Sequence, residues 1–150
     1  MKYLLLLLVA CGQPAPIETP KAPSGTPYAH DWLVENHILS GNTALTEGDA
    51  QLMHGRKVEV TDSSYRSPFQ GSCDDTKLSQ RTRAFDDVAS EVDLSGDRRQ
   101  TAQNFGITGN VIEYRLECKA NTQTPPLVLF AVDKRAMTCF SGVCYLLTAP

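Results

Sequence analysis

Residues 28–150 predict a mainly β (α+β) domain, most simply a small antiparallel β-barrel of about eight strands with one or two short helices. Three observations predict it. Over 110–119, Ile112, Tyr114, Leu116 and Cys118 alternate with Glu113, Arg115, Glu117 and Lys119, the period-two pattern of a strand with one wet face. Turn-forming residues recur at short intervals, as small all-β folds require. The final stretch, 136–148, reads as two apolar arms about Ser141-Gly142, a two-residue hairpin turn with glycine second.

The remaining elements follow in chain order. An apolar-rich, imperfectly alternating segment at 32–39, stopped by Ser40-Gly41-Asn42, is the first strand. Thr46 can cap a helix with Asp49 as its capping-box partner, and Leu45 can staple to Ala50. That predicts a short helix over 47–54, ended by Gly55 in left-handed backbone. Val58 and Val60 alternate with charges in a half-buried strand over 56–61, and Asp62-Ser63-Ser64 turns the chain. Weaker strands are expected at 69–73 and 77–83. Phe85, Val88, Ala89 and Val92 fall at i, i+3, i+4 and i+7, a second short helix. Residues 95–103 are polar and read as loop. The run 127–132 is continuously apolar between Pro125-Pro126 and Asp133-Lys134-Arg135, and is expected to be a central strand.

The N-terminus sets the compartment. Lys2, the apolar run 4–9 and small Ala10 follow the order of a secretory signal, and the run is shorter than the roughly 20 residues a membrane span needs. Leu8-Val9-Ala10-Cys11 resembles the lipobox of bacterial lipoproteins, in which the cysteine is acylated and becomes the first residue of the mature protein. Gly12 after it is compatible with transfer to the outer membrane. The rival reading is an ordinary secretory signal or a short anchor. The resulting division is a signal peptide over 1–10, the lipidated Cys11 with a tether over 11–27, and one globular domain over 28–150. Five prolines between Gly12 and Pro27 make the tether extended, with a reach of roughly 50 Å.

An oxidising envelope favours disulfides for the four domain cysteines. Cys139 and Cys144 face each other one pair out from the hairpin turn, at a non-hydrogen-bonded site where Cα atoms approach closely enough to bridge. By elimination Cys73 pairs with Cys118. A redox pair or half of a metal site are the alternatives for CFSGVC. Redox motifs want Cys-x-x-Cys at a helix N-terminus, and a zinc site wants four ligands at recognisable spacing.

Charge and motifs narrow the function. Without Lys2, Lys21 and Glu18, residues 28–150 keep 12 basic and 16 acidic side chains, a formal charge of −4. With no basic stripe, nucleic acid is not an expected partner. A mildly acidic surface suits cationic partners. His30, His37 and His54 read as surface or satisfied core residues rather than ligands, and seven residues of one strand would place His30 and His37 on opposite faces. Asp74-Asp75 and Asp86-Asp87 read as solvated turn carboxylates, Arg98-Arg99 as a solvated basic spot. Gly71-Ser72-Cys73 lacks the flanking glycine of a nucleophile elbow. Trp32, Tyr65, Phe69, Phe130, Phe140 and Tyr145 are core candidates, able also to line a ligand cavity.

The order of strand, LTEGDAQLMHGRKVEV, mid-chain cysteine, long strand ending in Cys118 and C-terminal hairpin resembles that of small bacterial envelope proteins. More distantly it is similar to the β-barrels of lipoprotein lysozyme inhibitors and lipocalin-like proteins. With the lipobox-like start and no catalytic constellation in the sequence, the expectation is a non-enzymatic, monomeric binding module, lipid-anchored to the outer membrane with its domain in the periplasm. It would be an inhibitor or immunity-type protein for a cationic enzyme, or else a carrier of a small apolar ligand. An envelope hydrolase using His37 or His54 with an Asp is the enzymatic alternative. No catalytic residue, metal ligand or cofactor is assigned.

Overall fold

The computed structural model describes residues 26–150; the signal, Cys11 and most of the tether lie outside them. Nine antiparallel strands form one sheet in a nearly closed barrel, with three helices. In chain order the elements are β1 (Asp31–Leu39), α1 (Glu47–Gln51), β2 (Lys57–Val60), β3 (Tyr65–Ser67), β4 (Gly71–Cys73), β5 (Thr76–Ala84), α2 (Phe85–Glu91), α3 (Gly96–Phe105), β6 (Asn110–Cys118), β7 (Leu127–Val132), β8 (Arg135–Phe140) and β9 (Val143–Thr148). The ninth strand is the short Tyr65–Ser67, which continues the hairpin from the expected turn at 62–64.

The sheet runs β4-β3-β2-β1-β9-β8-β7-β6-β5. Its two edge strands, β4 and β5, are consecutive in the chain, and the seam between them is tied in three ways. Thr76 N–H donates to Ser63 O at 2.8 Å, Lys119 N–H donates to Asp75 O at 3.0 Å, and Cys73 is bonded to Cys118. These ties hold the two edges together only where the chain passes from β4 to β5.

Two apolar layers result. Inside the barrel, Trp32, Val34, Val58, Tyr65, Leu116, Leu127, Leu129 and Leu147 are buried together. Outside it, Ile38, Val111, Phe130, Met137 and Leu146 are covered by Phe85, Val88 and Ala89 of α2 and Ala102 of α3. This second layer explains why β7 and β9 are apolar on both faces: each is covered on both sides, like a strand of a two-faced sheet.

The stretch 95–103, expected as loop, instead lies almost wholly in α3, Gly96–Phe105. Its single buried residue within the helix is Ala102, so there is no apolar stripe for a periodicity argument to find. Left-handed Gly106, φ 108°, ends it. The expected helix at 47–54 closes as α1 at Gln51, with the predicted Thr46–Asp49 capping box in place; the Thr46 amide and hydroxyl hold the Asp49 carboxyl below its usual range.

The wet face expected of β6 holds at its far end, where Arg115, Glu117 and Lys119 reach solvent, but not at its start. Val111 lies under the helices, and Glu113 is buried with both Arg81 (3.0 Å) and Arg83 (2.9 Å) on Oε2, Arg83 reaching on to Glu91 at 2.7 Å. Burial raises the Glu113 carboxyl, but the hydrogen bonds and charge of Arg81 and Arg83 outweigh it and leave the group below its ordinary value. A depressed carboxyl stabilises the fold above the ordinary carboxylate range and loses that contribution as pH falls through its folded value. Glu113→Gln is therefore expected to lower stability by about 2 kcal/mol at neutral pH, with the gap to wild type shrinking in acid. Melting temperatures of both proteins across pH 3 to 7 check this; a pH-independent gap would refute it.

Candidate functional site

Three regions bring together the residues singled out above. The first is the barrel interior. Trp32 is fully buried with its indole N–H donating to Tyr28 O at 3.0 Å, Tyr28 packs on Tyr114 with centroids 5.1 Å apart, and Phe69 stacks on Tyr145 at 4.1 Å. Burial pushes the hydroxyls of Tyr65, Tyr114 and Tyr145 up, so they stay neutral. Phe130 and Phe140, also candidates to line a cavity, are not interior at all. Phe130 belongs to the layer under the helices and Phe140 flanks the hairpin turn. Side chains fill the barrel where a carried ligand would sit.

The second region lies where α1 meets the end of β1. A register shift between Val34 and Asn36 turns His37 inward, opposite Tyr145, so the two-residue alternation no longer separates it from Trp32. His37 is 8% exposed. Its Nδ1 lies 2.8 Å from His54 Nε2 and its Nε2 lies 2.8 Å from Glu47 Oε1, although that second contact is not aligned as a good hydrogen bond. Ring centroids 4.9 Å apart set the two histidines nearly head-on, as a hydrogen bond between them demands. Nδ1 is filled by donation from His54 when His37 Nε2 carries the proton facing Glu47. Because Glu47 and His54 occupy different nitrogens of His37, the three do not converge on one point, and among the described residues no three His, Cys, Asp or Glu side chains are set to hold a metal. The carboxylate beside His37 is a glutamate, not the aspartate expected.

The third region is the hairpin. Ser141 and Gly142 have φ of 51° and 78°, both positive as a type I′ turn requires. A side chain at 142 would also meet Thr43 Cβ at 2.7 Å. Cys139 and Cys144 are paired in register with Cα atoms 4.0 Å apart and are bonded; Cys144 packs under the helices. Beside the turn a hollow of about 240 Å³ is lined by Ser40, Glu91, Asp93, Phe140 and Ser141 among others. Asn42 bonds Asp93 at 3.5 Å, and Asp93 itself adopts φ 57°.

Comparison with protein-family profiles, with curated proteins and with solved structures returned no match.

The remaining candidates are dispersed. Asp75 pairs with Lys119 and Asp86 with Arg99. His30 stands edge-on to Trp32, centroids 5.3 Å apart, away from the other two histidines. Ser72 is exposed on β4, and Cys73 is in a disulfide. Glu47, Glu91 and Asp93 are the residues that sequence reasoning missed. The place of Glu47 in the first turn of a helix following a histidine-bearing strand was the only signal available for any of them.

The short-loop disulfide gives an expected result of its own. Six residues closed by a bridge contribute about 2 kcal/mol in the chain-entropy model. Cys139→Ser with Cys144→Ser should leave a folded barrel, less stable by about that much, as denaturant titration reads it. An unchanged midpoint would mean the bridge is not a staple.

Proposed function

We propose that this chain is a lipid-anchored protein of the bacterial envelope that works as a binding module, engaging a cationic protein at its surface in the manner of an inhibitor or immunity protein. The observation that carries the reading is the filled barrel: with Trp32, Tyr65, Leu116, Leu129 and Leu147 occupying the interior, recognition falls to the outer face. Two disulfides agree with an oxidising compartment. The hollow beside the hairpin supports a cationic partner, because Asp93 stands there with the aromatic Phe140 and with Glu91, which a cation would share with Arg83, a combination suited to a lysine or arginine side chain. His54, His37 and Glu47 stand apart from the residues that line that hollow.

Titrating the full-length protein against a cationic muramidase tests the reading. Stoichiometric, salt-sensitive loss of muramidase activity is expected, weakened by Glu91→Gln with Asp93→Asn. An apolar small molecule recovered from the purified protein, with no effect on the enzyme, would favour a carrier instead. Anchoring has its own test: Cys11→Ser should move the protein from membrane to soluble fractions, and unchanged fractionation would sink it.

A further inference from the structure

On the outer face of β2, β3 and β4 the side chains of Lys57, Glu59, Arg66 and Ser72 point away from the core. Register puts Glu59, Arg66 and Ser72 in one cross-strand row. With Arg56, they border an open groove of about 450 Å³, and Gly71 leaves it open because no side chain rises from that position. Three cations and one carboxylate line it in a domain whose overall charge is negative.

The arginines in this groove differ from most of the others. Of the eight in residues 26–150, Arg81, Arg83, Arg99 and Arg115 pair with carboxylates, Arg135 lies over the Phe105 ring at 4.9 Å, and Arg98, at the start of α3, forms no ion pair among the described residues. Among the described residues, no carboxylate comes within 4 Å of Arg56 or Arg66, even though Glu59 stands opposite Arg66 in register. Free guanidiniums present a fork of donors suited to phosphate oxygens.

Two further features indicate the source of the phosphate. Lys57 pairs across the sheet with Leu33, which is 38% exposed, so an apolar side chain adjoins the cations as at a membrane-facing surface. The tether also leaves from this hairpin: Thr26, the first described residue, hydrogen-bonds Asp62 in the turn between β2 and β3, and Val60 N–H donates to His30 O at 3.0 Å.

We propose that this groove docks on an anionic phospholipid surface, with Arg56 and Arg66 holding headgroup phosphates, Lys57 beside them with its ammonium 3.4 Å from Asp31, and Leu33 resting at the interface. Strand order places β2–β4 on one side of β1 and the β8–β9 hairpin on the other, so docking through the first leaves the acidic hollow open to a partner. The proposal takes from the lipid-anchored reading only the presence of a bilayer.

The test uses the acylated full-length protein on vesicles of phosphatidylcholine, alone or mixed with phosphatidylglycerol, and maps amine-reactive labelling of each lysine by mass spectrometry. Labelling of Lys57 is expected to fall about fivefold when phosphatidylglycerol is present, while Lys134 and Lys77 are unchanged. Arg56→Gln with Arg66→Gln should abolish the difference, and should weaken recruitment to the mixed vesicles by about 30-fold, each charge near the surface being worth roughly fivefold. Equal labelling of Lys57 on both vesicles overturns the proposal, as does protection spread over all lysines. Loss of protection on adding soluble glycerol phosphate would make the occupant a free anion and also overturn it. A protein that fails to load on phosphatidylcholine alone counts against acylation only; its recruitment by phosphatidylglycerol, with or without the two arginines, still decides the groove.

Discussion

Replacing Cys73 and Cys118 together with serine should lower the free energy of unfolding by about 4 kcal/mol, the chain-entropy value for so long a loop. The two residues are 45 apart in sequence, and the bond does more than shorten the unfolded chain. It joins β4 to the end of β6 across the seam where the sheet is not continuous. Without it, the seam keeps backbone bonds such as Thr76 N–H to Ser63 O, and both edges are free to fray. Small domains have stabilities of only 5 to 15 kcal/mol, so the double variant is expected to be marginal. Denaturant unfolding and hydrogen exchange of β4 and β5 check this. A loss no larger than that of the Cys139 and Cys144 double variant would show that the seam does not depend on the bridge.

Trp32→Ala should be comparably damaging, about 4 kcal/mol. The indole is fully buried, with Tyr28 and the edge-on ring of His30 beside it, and its removal leaves a large cavity and takes one of two donors from the Tyr28 carbonyl, which keeps the His30 N–H at 3.1 Å. Trp32→Phe separates the two terms: it keeps most of the volume and should cost only about 1 to 2 kcal/mol. Thermal unfolding of the pair reads the difference. If both substitutions cost the same, the hydrogen bond rather than the volume would be the larger contributor.

Much of this fold was legible because its signals are local. The capping box at Thr46 and Asp49, the positive-φ turn at Ser141-Gly142 and the helix from Phe85 depend on residues within a turn or two of one another. The hairpin disulfide follows from the turn, since register one pair out leaves Cys139 facing Cys144. The site was less legible. His37 and His54 were each visible, but their meeting at 2.8 Å depends on how α1 folds back on β1, a contact between segments with no shared periodicity.

By itself the sequence determined the strand-rich class, the positions of most strands, the disulfide partners and an acidic domain without a nucleic-acid-binding stripe. Each of these rests on nearest-neighbour geometry, composition or elimination. The tertiary structure decided what each face meets. The shift at Val34 and Asn36 reversed the side on which His37 lies, because one inserted residue exchanges the faces of everything beyond it. The outer apolar layer made α3 a helix, although its own residues bury little beyond Ala102. Pairing with Arg81 and Arg83 buried Glu113 in a partly exposed ion cluster, although the alternation of β6 had assigned it to solvent. Such outcomes depend on partners distant in the chain, and the free energy that selects them comes from surfaces that exist only once the barrel has closed.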